Sequence, residues 1–355
     1  MIALELILAL FVVLTAVLVA LFRGPLGSTA IFAAFSLGLA VIWLLLAAPD
    51  VALTEAAVGA GVMVFLLLIA AVRTGVSINS PDQSEQGSIR SLNLPALVVT
   101  LVLAIPLVYS TLSFPDIGDP EAQAVSEQIV TGEPSPYASY VGEAAVDIGI
   151  PNVVASVLTV FRNLDTLGEV VVAFTAVIGV LIVYDHTRLT GKVADEPGER
   201  ASNYPDPYVM STVGMTAVRL VVPLVFAFGI YLVLKGAVLP GGGFSGGVVI
   251  GSAFVLMALI FGHVPTSDWI DERHLVGALV LGLVLFLAVA VGSLAFGGEL
   301  LEVLAYQVDL TLVIEVMEVA IGMTVGAVVI GLVLAMALGL EEDDFDTADD
   351  RGDGR

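Results

Sequence analysis

The fold class of this chain follows from the stretch Leu310–Leu338, whose sequence is LTLVIEVMEVAIGMTVGAVVIGLVLAMAL. As a helix, such a stretch is long enough to cross the roughly 30 Å hydrocarbon core of a bilayer. Its charged residues are two carboxylates, Glu315 and Glu318. Ionisable groups inside a membrane span are costly and are usually kept for a function. The stretch therefore predicts a membrane helix that handles ions.

The composition of the whole chain agrees with this class. Of the 355 residues, 58% are hydrophobic, and the mean hydropathy is +1.03. We therefore predict an all-α polytopic membrane protein with about nine transmembrane helices. The first apolar stretch carries Glu5 in place of a basic leader and is too long for a signal peptide, so we expect it to be retained. The predicted spans are residues 2–22, 26–47, 51–72, 94–112, 166–184, 213–234, 244–262, 276–296 and 309–338.

The positions of the basic residues predict the orientation of the chain in a cell membrane, because Lys and Arg accumulate on the cytoplasmic side. With the N-terminus outside and the C-terminus inside, most basic residues fall in cytoplasmic segments, and Arg219 falls in the cytoplasmic half of its span. Only Arg162 and Lys235 then lie outside. The cytoplasmic residues are Arg23, Arg73, Arg90, Arg188, Lys192, Arg200, Arg273, Arg351 and Arg355.

The net charge of −23 comes from the loops and the C-terminal tail. Residues 116–147 carry seven acids and no base, and residues 341–353 carry eight acids. Such a surface argues against nucleic acid as a partner and suits a salt-saturated cytoplasm, so we expect a halophile. The chain has no Cys, and its three His residues lack metal-ligand spacing. We therefore predict no metal site and no cofactor.

The first motif is the run APDVALTEAAVG at residues 48–59, a sharp turn followed by a helix. Asp50 is expected to be the N-cap of this helix, because a carboxylate there accepts free backbone N–H groups. Glu55 lies five residues further, about 7 Å along the helix, which is too deep for a cap. Two roles stay open for Glu55: ion handling, or a structural hydrogen bond to a neighbouring helix.

The second motif is the run FRNLDTLGE at residues 161–169, which again places acids just inside a span. Asp165 and Glu169 are four residues apart, so they share one helix face. Such a pair could pass protons. In the alternative interpretation, Asp165 caps the helix and pairs with Arg162, and Glu169 is structural.

A polar helix face precedes this second motif. Asn152, Ser156, Thr159 and Asn163 recur at helical spacing in a stretch that is otherwise apolar. One helix over residues 151–184 would be about 50 Å long, which is more than a single span needs. We therefore predict a separate short helix that lies at the membrane interface or dips into the protein.

The third motif is the run KGAVLPGGGFSGG at residues 235–247. Three of its glycines have the spacing of a dinucleotide-binding fingerprint, but no strand precedes them, so this match is weak. The glycines favour a tight turn at the membrane edge, followed by close helix packing through Gly243, Gly247 and Gly251. The predicted structural motif consists of Pro240, Gly241, Gly242, Gly243, Phe244, Gly246 and Gly247.

The two acids of the last span lie on one helix face, and Asp309 is expected to cap this helix. Glu318 sits roughly 13 Å from the helix start, near the middle of the membrane. Arg219, within the sixth predicted span, is the basic residue that could neutralise it. An ion pair between Glu318 and Arg219 and a role of Glu318 in ion transfer both stay open.

Together these motifs resemble a known family of transporters. The runs APDVALTE (residues 48–55) and RNLDTLGE (residues 162–169) look like two small modules at the C-terminal end of the large A-type chain of Mrp-type Na⁺/H⁺ antiporters. Free-standing versions of these modules, MbhD and MbhE, occur in membrane-bound hydrogenases. The run PGGGFSGG (residues 240–247) is similar to the hallmark of the four-span B-type chain, MnhB. The resemblance covers nearly the whole chain.

The resemblance implies an accessory transmembrane subunit of a multi-subunit monovalent cation (Na⁺)/proton antiporter, which is not an enzyme. Its implied partners are other subunits, including a large proton-pumping one, together with the lipid bilayer, Na⁺ and protons. The implied parts are an MbhD-like module of three helices (residues 1–75), an MbhE-like module of two helices with an external acidic loop (90–187), a four-helix MnhB-like domain (208–340) and an acidic tail (341–355).

The resemblance also suggests an ion path. Glu55, Asp165 and Glu169 match family acids, and Glu169 stands where the family associates an acid with cation passage. Because the intramembrane lysines of the proton-pumping subunit are absent here, we expect no transport by this chain alone. The chain could instead belong to the membrane arm of a hydrogenase-type or dehydrogenase-linked ion pump, or be a scaffold only. The ion-path residues predicted from the resemblance and from their depth in the membrane are Glu55, Asp165, Glu169, Glu315, Glu318 and Arg219.

Overall fold

The computed structural model describes residues 2–22, 24–73, 94–112, 148–184, 212–261 and 272–338. The predicted acidic loop and acidic tail lie outside these ranges. We number the long helices in chain order, treating uninterrupted runs of helical segments as one helix. They are α1 (Ile2–Leu21), α2 (Pro25–Leu45), α3 (Pro49–Thr54, Glu55–Met63 and Val64–Arg73), α4 (Leu94–Thr111), α5 (Val153–Ser156 and Val157–Phe161), α6 (Asn163–Tyr184), α7 (Thr212–Lys235), α8 (Gly243–Phe261), α9 (Glu272–Gly292) and α10 (Leu310–Leu338).

Each of the nine predicted spans coincides with one of these helices. Seven helices are long and apolar enough to cross a membrane by length and composition, and Val98–Thr111 and Gly243–Met257 form two shorter apolar helices. Helices are expected here because a segment in hydrocarbon must satisfy its backbone hydrogen bonds internally. The prediction of an all-α polytopic membrane protein is confirmed.

Helix α10 lies at the centre of the C-terminal helices. Its spanning part is 72% buried inside the protein, whereas the other candidate spans are at most 33% buried. It packs most extensively against α8 and α9 and also contacts α6, while α7 packs on α8. Side chains at this centre, such as Met317 of α10 and Phe286 of α9, are fully buried. An acid on the inward face of α10 is therefore enclosed by protein.

Small residues permit the close approach of α8 and α10. A Cβ atom added at Gly243 would lie 2.2 Å from the carbonyl oxygen of Glu318, and one added at Gly247 would lie 2.7 Å from the carbonyl oxygen of Gly322. A Cβ at Gly251 would meet the side chain of Val329 at 2.7 Å. Glycine at every fourth position thus lets the two backbones touch.

The N-terminal helices attach to this group through α3. Helix α1 packs on α2, and α2 packs along α3. The first two segments of α3 contact α8, and its last segment contacts α10. The start of α3 is thereby placed beside the start of α8.

The short helix α5 covers the connection between α7 and α8. Ile150, Ala237 and Ile314 form a buried apolar cluster that joins the α5 region, this connection and α10. The polar face of α5 points into the protein, because Ser156 and Thr159 are fully buried. The prediction of a separate short helix that dips into the protein is confirmed.

Candidate functional site

Glu318 is the buried charged side chain of the described residues, with 5% of its surface exposed. Its Oε2 accepts a hydrogen bond from the backbone N–H of Gly243, the first residue of α8. The preceding Gly241 and Gly242 have φ values of +150° and +112°, which side-chain-bearing residues rarely adopt. The glycine run therefore brings a helix N-terminus, with its free N–H groups, to a carboxylate inside the membrane.

Asp50 approaches the same turn from α3. Its Oδ1 accepts the backbone N–H of Gly241 at 2.9 Å and the side-chain amide of Asn152 at 2.9 Å. The prediction that Asp50 caps its own helix is wrong, because the helix begins at Pro49 and Ala48 occupies the N-cap position. The carboxylate binds distant parts of the chain instead, close enough to Glu318 for the two charges to interact.

Asn152 connects these groups and was not predicted as a site residue. Its Nδ2 also donates to the carbonyl oxygens of Gly236 at 2.8 Å and Leu239 at 3.0 Å, and its backbone N–H donates to Ala237 at 3.3 Å. Its Oδ1 caps α5 by accepting two backbone N–H groups. The preference of Asn for N-caps could have shown that role, but not the long-range bonds. We call Asp50, Asn152, the turn of residues 236–242 and Glu318 the junction.

Glu55 has a partner on the neighbouring helix α2. The hydroxyl of Ser36, which is fully buried, donates to Oε1 of Glu55. Gly59 makes room for this pair, since a Cβ there would lie 2.0 Å from the Ser36 oxygen. Glu55 also begins the π-helical segment of α3, and π-helical turns occur frequently at functional sites. The hydrogen bond to a neighbouring helix, one of the two open roles, is therefore present.

Asp165 and Glu169 lie on the outer surface of α6. Asp165 forms an ion pair with Arg162 at 2.5 Å, with both side chains about half exposed (49% and 60%). Glu169, one turn further on, is exposed. The predicted pairing with Arg162 is confirmed, and Asp165 lies in the first turn of a helix that begins at Asn163. The structure brings these two acids together, apart from the enclosed Glu318.

Asn163 anchors the start of α6. Its side-chain amide donates to the carbonyl oxygen of Leu301, at 2.5 Å, in the connection between α9 and α10. Leu301 has a positive φ of 68°, and its own N–H donates to Ala290 of α9. The acidic motif of α6 is thus held in place by the chain that leads into α10.

Two predicted residues lie outside the junction. Glu315 is partly buried on α10, three residues before Glu318. Arg219 is exposed on α7, thirteen residues before Leu232, whose carbonyl oxygen accepts the Gly242 N–H. That separation is about 20 Å along the helix, so Glu318 and Arg219 do not form an ion pair.

The predicted cap of α10 is present. The carboxylate of Asp309 accepts the backbone N–H of Thr311 at 3.0 Å, just before the helix begins. This satisfies one of the free N–H groups of the helix N-terminus.

These features define a polytopic helical membrane protein that holds carboxylates within and beside its spans. Residues 213–338 match the family model described as a domain related to the MnhB subunit of Na⁺/H⁺ antiporters, and residues 10–76 match the model of MbhD, the D-type chain of MBH. A Staphylococcus saprophyticus protein named as antiporter subunit mnhB2 is 35% identical over 133 residues, which are 92% of that protein and 35% of this chain. The chain belongs to the MnhB-related family of antiporter subunits and has an MbhD-like N-terminal part.

Other relatives match larger parts of the chain. An uncharacterized protein of Methanocaldococcus jannaschii is 34% identical over 42% of this chain. A Rhizobium meliloti protein named as the A/B subunit of a K⁺/H⁺ antiporter is 29% identical over 46% of this chain. The chain spans 58% of the first relative and 18% of the second.

Two solved structures share the fold. The Mrp complex from Dietzia sp. DQ12-45-1b matches 98% of this chain with a TM-score of 0.66 and 21% identity, over 35% of the matched chain. An archaeal membrane-bound sulfane sulfur reductase matches 69% of this chain with a TM-score of 0.50 and 24% identity, over 97% of the matched chain. Nearly the whole chain therefore has the fold of a chain of an Mrp complex.

Proposed function

We propose that this chain is an accessory transmembrane subunit of a multi-subunit Na⁺/H⁺ antiporter, in which it contributes to the ion path and to assembly. The observation that carries the proposal is the enclosed Glu318 within the MnhB-related part. A carboxylate inside a membrane protein can take up and release a proton or a cation, and such groups characterise ion pathways. Its single backbone hydrogen bond leaves the other carboxylate oxygen available for exchange.

The remaining acids of the proposed path form two further groups. Glu55 lies on α3, five residues after Asp50 of the junction. Asp165 and Glu169 lie on the outer surface of α6, where contact with lipid would be costly for a charge. We infer that another subunit covers this surface, and that the partners include a large proton-pumping subunit.

The experiment is a flux measurement in vesicles that contain the complete complex. Imposed Na⁺ or K⁺ gradients should drive proton movement, and Glu318→Gln should lower the rate at least about tenfold, because Gln cannot ionise. Vesicles with this chain alone should show no cation-dependent flux. Robust antiport by the single chain would refute the accessory role, and unchanged transport after neutralising Glu55, Glu169, Glu315 and Glu318 together would indicate a scaffold only.

A second candidate is a membrane-arm subunit of a hydrogenase-type or dehydrogenase-linked ion pump. It is favoured by the match of residues 10–76 to the MbhD model. Neighbouring genes for nickel–iron or iron–sulfur subunits would support it. Proton movement that requires electron transfer, in place of a cation gradient, would decide for this candidate.

We further propose that the protein lies in the cell membrane with its N-terminus outside and its acidic tail inside. The chain has no native Cys, so single cysteines can be introduced without a background. Cysteines at Ser126 and Ser202, which lie outside the described residues, should react with an impermeant thiol reagent from opposite sides. The motivation is the asymmetry of the basic residues. Reaction of both from the same side would contradict the nine-span topology.

The division into parts and the habitat are also proposals. The motif of α6 supports an MbhE-like module at residues 90–187, between the MbhD-like module (1–75) and the MnhB-like domain (208–340). The excess of acids over bases, 35 against 12, supports a halophilic source. Loss of the assembled complex on dilution from molar salt would agree with that source, and full stability at low salt would count against it.

A further inference from the structure

The turn of residues 236–242 is held mainly by two side chains from other parts of the protein. Asn152 donates to three of its carbonyl groups, those of Gly236, Ala237 and Leu239. Asp50 accepts the N–H of Gly241. A bond from Gly242 to Leu232 of α7 completes the set. Partners 84 to 191 residues away in sequence thus fix most of this turn.

The turn needs these bonds because its sequence does not restrict the backbone. Gly241 and Gly242 lack side chains, so their conformation has to be imposed from outside. Gly236 and Ala237 are buried, and carbonyl groups that lost the amide of Asn152 would remain without a partner at a cost. A change at Asn152 is therefore expected to move the turn.

The position of the turn matters to Glu318. Gly243, which donates to the Glu318 carboxylate, directly follows the turn. An N–H donor stabilises the ionised form of a carboxylate. Of the helices packed on α10, α8 carries no charged residue in its described range, and the charge that acts on Glu318 is that of Asp50 on α3. Glu315 lies on the same helix, and the exposed Lys235 ends α7.

We propose that Asn152 and Asp50 are positioning residues for Glu318. This inference rests on the proposed antiport function. Through the turn, the two side chains fix the Gly243 N–H, and so they set how firmly Glu318 holds its proton or cation. Since the junction joins α3, α5, α8 and α10, a shift of α3 is transmitted to Glu318 by hydrogen bonds.

The test uses Asn152→Ala in the complete complex, with Thr159→Val as the matched control. Thr159 is equally buried on α5, but its hydroxyl donates to Ala155 of its own helix. Asn152→Ala should lower the antiport rate per assembled complex about tenfold, the effect of losing a buried hydrogen bond, and should shift the pH of half-maximal rate. Thr159→Val should change neither. A merely structural role of Asn152 would lower the amount of complex without shifting that pH.

A pair of variants at Asp50 tests the same turn if Asn152→Ala does not assemble. Asp50→Asn keeps an oxygen that accepts the Gly241 N–H and should retain most of the rate, whereas Asp50→Ala should lose it and shift the pH of half-maximal rate. Unchanged rate and pH dependence in Asn152→Ala, or in Asp50→Ala, would overturn the inference while wild type and Glu318→Gln still behave as proposed. Absence of exchange in the wild-type complex would instead refute the proposed function.

Discussion

Replacing Gly243 with alanine is expected to remove most of the correctly assembled protein. The added Cβ would lie 2.2 Å from the carbonyl oxygen of Glu318 and 2.9 Å from the backbone nitrogen of Gly322. Both are backbone atoms of α10, so no flexible side chain can give way. Overlap of this kind should destabilise the protein by at least about 3 kcal/mol. The measurement is the amount of detergent-extracted complex and its thermal unfolding midpoint.

The matched control is Gly277→Ala on α9. A Cβ at Gly277 would meet no atom within 4 Å, and alanine is the better helix former. Amount and midpoint should therefore equal those of the wild type. If Gly243→Ala matched this control, the close approach of α8 to α10 would be wrong.

The Glu169→Gln variant is expected to lose antiport while the complex stays assembled. Gln keeps the size of Glu and can form hydrogen bonds, but it can neither ionise nor release a proton. The rate should fall by about a hundredfold or more, the scale on which positioned proton-transfer groups contribute. Glu55→Gln should have a weaker effect. Ser36 already bonds Glu55 within the chain, whereas Glu169 is exposed on α6. Proton flux in vesicles, normalised to assembled complex, is the measurement.

Glu299→Gln provides the control for this charge removal. Glu299 is also exposed, but it lies in the connection between α9 and α10, outside the spans. Its neutralisation should leave transport unchanged. Normal Na⁺-dependent exchange by an assembled Glu169→Gln complex would defeat the proposed ion-path role of Glu169, and failure to assemble would show a structural role.

The sequence was sufficient for the membrane class and for the nine long helices. Long apolar stretches cannot form another structure in hydrocarbon, because each backbone group must be paired within the segment. Local patterns were also sufficient for the short helix α5, for the cap at Asp309 and for the Arg162–Asp165 pair, since their partners are within a few residues. The position of Glu318 within an apolar stretch identified it as costly, and the structure encloses it.

The partners of the buried polar groups were decided only by the tertiary structure. Asp50 has the residue type and the position of a helix cap, but its carboxylate binds Gly241, which is 191 residues away. Asn152 bonds Asp50 across 102 residues, and Ser36 pairs with Glu55 of the next helix. Periodicity states which residues share a helix face, but it does not state which helices meet. The packing of α3, α5, α8 and α10 therefore determined which groups surround Glu318, because a buried polar group has to find its partner among whatever the fold brings near.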